Sequence, residues 1–164
     1  MFDVLVFVYE NYWCGDILSE PRQLERKLNA AGFESDEVHK AIDWLNGLNQ
    51  LAEETAWPSP EQGAMRQGVT EVQANAQSLR IYSTLEQDQL GPDCLGFVMF
   101  LESAGVLPAT LREVVIDRAM AVPTPTTLEH LKIIVLMVYW RFGEEPDALI
   151  LDELCDDAQD RVAH

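Results

Sequence analysis

The chain of 164 residues carries 28 Asp and Glu against 11 Lys and Arg, a formal net charge of -17, and is 48% hydrophobic. That is enough apolar material for one core or two small packed lobes. So acidic a surface repels phosphates and anionic headgroups, which disfavours nucleic acid and membrane as partners. The same charge either steers basic protein surfaces toward the molecule or serves only to keep it soluble.

Residues Phe2 to Trp13 are apolar around most of the helical circumference, with Val4, Leu5, Val8 and Tyr12 at helical spacing, so a first helix sandwiched between others is expected. No basic residue precedes this run and no small-residue cleavage site follows it, so it is not read as a secretion signal. Pro21 suits the first position of a second helix whose stripe of Leu24, Leu28 and Ala31 ends at Gly32. Ser35 is the expected cap of a third, with Asp36 and Glu37 in its first turn and Val38, Ala41, Ile42, Leu45 and Leu48 facing inward.

From Glu53 to Gln77 the period is lost and Trp57, Pro58, Pro60, Gly63 and Gly68 accumulate, which marks a linker. Ser78 to Ser83 alternates, Leu79 and Ile81 against Arg80 and Tyr82, and is read as a strand. Its expected partner is Leu51 to Trp57, giving a short hairpin behind three helices as in a winged-helix module; pairing with a second copy is the other option.

Three Ser/Thr-x-x-Glu spacings mark helix starts in the second half: Ser83 with Glu86, Thr110 with Glu113, and Thr126 with Glu129. Pro92 opens a helix that ends near Gly105, Leu111 to Ala121 forms another, and Leu128 to Phe142 a central apolar one. That last block is too short to cross a bilayer, which takes about 20 residues. Pro146 begins a final short helix within an acidic C-terminus.

Candidate chemistry is sparse. Cys14, Cys94 and Cys155 lack metal or redox spacing and read as free thiols in a reducing compartment, hence a cytoplasmic location. His39, His130 and His164 form no ligand pair, and no serine or cysteine sits in a nucleophile motif. The second and third helices fit a helix-turn-helix, yet its reading helix would begin with Asp36 and Glu37, which meet like charge on DNA. Arg22, Arg26 and Lys27 form a basic cluster interleaved with Glu20 and Glu25, read as a solvated face. Arg112, Glu113, Asp117 and Arg118 are read as solvated ion pairs. Trp13, Trp44, Trp140, Phe97, Phe100, Met99 and Met137 are expected inside. Trp57 either anchors a partner or packs over the hairpin.

The segments MFDVLVFVYENY, AGFESDEVHKAIDWLNGL, SLRIYSTLE, CLGFVMFLESAGVL, LREVVIDRAMAV and LEHLKIIVLMVYW, taken in order, resemble the bacterial Smg family. The resemblance spans most of the chain and implies no particular reaction, catalytic residue or cofactor.

The expected architecture is mainly α: an N-terminal helical, winged-helix-like lobe over 1–52, a linker over 53–77, and a strand plus C-terminal helical lobe over 78–164. The expected function is that of a non-enzymatic protein-interaction or adaptor module without catalytic residues, cofactor or metal. Arg22, Arg26, Lys27 and Trp57 are its candidate interaction residues, and nucleic-acid binding through the N-terminal lobe is the alternative.

Overall fold

The computed structural model describes residues 1–12, 21–55 and 80–143. They form six helices: α1 (Phe2–Tyr12), α2 (Pro21–Ala30), α3 (Ser35–Glu54), α4 (Thr84–Ser103), α5 (Ala109–Met120) and α6 (Leu128–Phe142). The apolar stretch expected to be central is so, and α6 packs on α1, α3, α4 and α5. A helix with neighbours on several sides needs apolar residues around most of its girth, and Leu131, Ile134, Val135, Met137 and Val138 are fully buried. Val4, Leu5 and Val8 of α1 are buried where that helix meets α3 and α6. The narrower stripe of α2, Leu24 and Leu28, buries against α3 alone of the helices it packs on closely. Burying each such side chain stabilises the fold by about 1.5–3 kcal/mol.

Among the described residues there is no strand, so the hairpin and the winged-helix reading built on it are wrong. Leu51 to Glu54 continue α3: Leu51 packs on the core one turn beyond Leu48, and the Thr55 amide closes on the Leu51 carbonyl at 2.8 Å. Ala, Leu and Glu are strong helix formers, so the helix runs on where a strand was expected. Arg80 to Ser83 is then a non-helical lead into α4 with no partner strand among the described residues. Its two-residue alternation shows in burial, since Ile81 is 90% exposed while Arg80 and Tyr82 are half-buried. Trp57, Ser78 and Leu79 lie outside the described residues, as does the helix expected from Pro146.

Of the three capping boxes one forms. The Glu86 amide donates to Ser83 Oγ at 3.3 Å, and the Ser83 amide to Glu86 Oε2 at 2.7 Å. At α6 the cap is Thr127, not Thr126: the His130 amide donates to Thr127 Oγ1 at 3.3 Å. Thr126 is buried, and its amide donates to the Gln89 carbonyl at 2.8 Å, so it is held in a tertiary contact that a local spacing cannot reveal. Pro108 precedes α5 and leaves Thr110 inside the helix. Glu34 precedes α3, so Ser35 is its first helical residue and not its cap. Pro92 does open a helical segment, because Gly91 (φ 69, ψ 171) breaks α4 just before it.

Two devices join the elements side to side. The Gln89 carboxamide donates to the carbonyls of Val122 and Thr124, both at 2.8 Å, and to Ala119 at 3.3 Å, tying α4 to the connector between α5 and α6. Across α3 and α5, the Trp44 indole donates to the Arg118 carbonyl at 3.0 Å, and Arg118 Nη1 donates back to the Trp44 carbonyl at 3.4 Å. The guanidinium can lie there because residue 47 is glycine: a Cβ would stand 2.0 Å from Arg118 Nη1. A Cβ at Gly96 of α4 would instead meet nothing within 4 Å.

The same substitution therefore has different outcomes at the two sites. Gly96→Ala is expected to raise the urea-unfolding free energy by about 0.5–1 kcal/mol through helix propensity. Gly47→Ala must swing the end of the Arg118 side chain aside, and losing its 3.4 Å hydrogen bond is expected to cancel most of the propensity gain, leaving the variant close to the wild type. Equal stabilisation at both positions would show that the clasp contributes nothing.

Candidate interaction surface and ion-pair network

Of the charges on α5, Glu113 and Asp117 are exposed as expected, whereas Arg112 and Arg118 are drawn inward. Arg112 is only 8% exposed. It donates through Nη1 to Glu102, and its Nη2 meets Glu113 Oε1 at 2.9 Å. Arg80 Nη2 lies 2.8 Å from Glu113 and 2.9 Å from Glu86. Glu86, Arg80, Glu113, Arg112 and Glu102 thus alternate in sign along one chain that joins the lead segment, α4 and α5. Arg80 also stands over the Tyr82 ring at 4.8 Å, a cation–π contact. The pairing partners are 33 and 10 residues apart, so the burial of Arg112 could not be read from helix periodicity.

Burial works against the charge on Arg80, but its hydrogen bonds to the carboxylates of Glu86 and Glu113 raise its pKa. Burial likewise pushes the Tyr82 hydroxyl up, so it stays protonated. The hydrogen bond from Arg80, and then that from the Ser83 amide, holds the Glu86 carboxyl below the usual carboxylate range. Arg80 Nη1 and the Tyr82 hydroxyl are buried without a hydrogen-bond partner. With both guanidiniums held between carboxylates, the arrangement ties the lead segment, α4 and α5 together.

A depressed folded-state pKa stabilises the protein above the ordinary carboxylate range, and that stability is lost as pH falls through the folded value. Thermal melting across the acid range is expected to show a shallower loss for Glu86→Gln than for the wild type. Identical slopes would remove Glu86 as a contributor.

The remaining candidates separate in space. Cys94 is buried, its thiol donating to the Thr126 carbonyl at 3.3 Å, and burial pushes its pKa up. The His130 ring stacks on Phe2 with centroids 3.8 Å apart. Cys14, Cys155 and His164 lie outside the described residues. Trp44 and Met137 are buried as expected, whereas Phe100 and Met99 are 56% and 50% exposed. Those two sit on the outer side of α4, whose inward stripe after Pro92 is Cys94, Val98 and Leu101. No group of three His, Cys, Asp or Glu side chains among the described residues converges as a metal site.

The basic cluster on α2 is rearranged relative to its sequence. The exposed described positions of this helix are Arg22, Gln23, Arg26, Lys27, Asn29 and Ala30, none of them acidic. Glu25 keeps 38% of its side chain exposed, with its carboxylate 3.3 Å from His39 Nε2 on α3. Lys27 stands 5.2 Å over the Tyr12 ring. The other exposed cation among the described residues is Lys40 on α3, while Arg80, Arg112, Arg118, Lys132 and Arg141 are buried or half-buried. Arg80 is committed to Glu86 and Glu113 and adds nothing to the α2 face; Arg66 lies outside the described residues.

The described residues form a helical fold with an inward ion-pair chain and a cationic face on α2. The chain belongs to the bacterial Smg family, whose model, described as "Protein of unknown function (DUF494)", matches residues 1–164. It is 55% identical to a protein named "Protein Smg homolog" from Methylibium petroleiphilum, over 165 residues and the whole of both chains. Proteins of that name from Leptothrix cholodnii and Bordetella pertussis are 52% and 44% identical, again over the whole of each chain. No solved structure matches. No helix among the described residues is long and apolar enough to cross a membrane.

Proposed function

We propose that this Smg-family protein is a non-enzymatic, cytoplasmic protein-interaction module that docks a partner through the outer face of α2. One observation carries the reading: three of the four exposed cations among the described residues stand on a single ten-residue helix whose one acid, Glu25, is set against His39, in a molecule of net charge -17. A charge distribution serving solubility alone gives no reason to gather cations on one face. Nucleic acid is the weaker reading for the same surface, because Asp36 and Asp43 lie exposed on α3, the neighbouring helix that would enter a groove.

Affinity purification from the native organism at low and moderate salt, followed by mass spectrometry, tests the proposal. A stoichiometric protein partner lost on neutralising Arg22, Arg26 and Lys27 is expected. Recovery of no partner, or of nucleic acid instead, overturns it.

A further inference from the structure

The α2 face also indicates what kind of partner it fits, and that step rests on the interaction reading above. We propose that it receives a short acidic segment of another protein, presented in an extended conformation. The first support is charge complementarity. Arg22, Arg26 and Lys27 are exposed, and the one acid of their helix, Glu25, has its carboxylate against His39 of α3. Both arginines present a planar fork that suits a carboxylate pairwise, which ammonium groups do not.

Spacing is the second support. Arg22 and Arg26 are four residues apart on α2, a rise of about 6 Å. Alternate side chains of an extended peptide point the same way at about 6.6 Å. Successive acids in a Glu-x-Glu pattern therefore meet successive arginines, and Lys27 extends the patch along the flank toward Tyr12.

The third support is the extent of the patch. Exposed acids begin immediately beyond it, with Glu34 and Asp36 at the start of α3 and Asp43 further along. A polyanion longer than a few residues would run onto them. With screening over roughly 10 Å at 0.1 M salt, a short segment confined to α2 escapes most of that repulsion and a nucleic-acid duplex does not.

The test uses the full-length purified chain and a fluorescein-labelled alternating Glu–Ser peptide. A Lys–Ser peptide, short duplex DNA and phosphatidylserine vesicles serve as comparison ligands. The Glu–Ser peptide is expected to bind most tightly and to weaken as salt rises. The R22Q/R26Q/K27Q variant should lose about tenfold in affinity with an unchanged melting temperature, and K40Q much less.

Amide chemical-shift mapping on the unmodified protein provides a second readout that no folding defect can imitate, with the largest changes expected over α2. Peptide binding that maps elsewhere, or tighter binding of DNA or vesicles, overturns the proposal. If the Glu–Ser peptide fails while the triple variant still loses a native protein partner, the acidic segment is wrong and the interaction reading stands. If that partner is also retained by the variant, both fall.

Discussion

Ile134→Ala is expected to lower the unfolding free energy by about 2–5 kcal/mol, the range for removing a large buried aliphatic side chain and leaving a cavity. Ile134 has no exposed surface, and its helix is in contact with α1, α3, α4 and α5. A site bounded by several helices cannot collapse by moving one of them, so most of the void should persist and the cost should lie toward the upper part of the range. Domains of this size are stable by only about 5–15 kcal/mol, so the variant should unfold at markedly lower urea concentration with an unchanged dependence on denaturant. Ile133, one residue earlier and only partly buried, is the internal control and should lose clearly less as alanine. Equal losses at the two positions would mean that α6 is not oriented as described.

Gly91→Ala is the second large effect, at about 1–3 kcal/mol of destabilisation, and its cause is different. The residue sits at φ 69 and ψ 171, a conformation open to glycine and strained for any residue with a Cβ. No atom lies within 4 Å of where that Cβ would be, so the penalty comes from the backbone and not from a clash. Relief by straightening α4 is blocked, because Pro92 follows with no amide hydrogen to donate and a ring that disfavours a helical residue before it. The Gly96 substitution five residues later separates this from a general intolerance of α4. If Gly91→Ala melts with the wild type, the break is not a fixed feature of the fold.

Much of the helical framework could be read from spacing, since α2 begins at Pro21 and α6 runs from Leu128 to Phe142 as expected. Those elements are governed by local rules, a proline at the first turn, a glycine after the last and an apolar period between. The errors arise where a local rule has two solutions or where a distant partner decides. Thr126 and Thr127 both offer a cap, and only the contact of Thr126 with Gln89 in another helix selects the second. The alternation of Arg80 and Tyr82 was visible, but its direction was not, because the inward side is filled by an ion pair to α5 and a ring rather than by aliphatic groups. On α2 the three cations were legible, whereas the pairing of Glu25 was not. Glu25 interrupts them in the sequence, and its contact with His39 depends on how α3 lies against α2.

The hold of Gln89 on the connector after α5 has a consequence for how the protein opens. Ala121 to Thr127 contains two prolines and reads as a slack hinge, yet its carbonyls at Val122 and Thr124 and its amide at Thr126 are all satisfied from Gln89. Fluctuations that loosen the connector must break the α4 contact as well, so the amides of Val122 and Thr126 should exchange with solvent deuterium in step with the first turns of α4. What composition marks as a joint is a rivet, and the two helices it separates in sequence come apart together with the kinked one beside them.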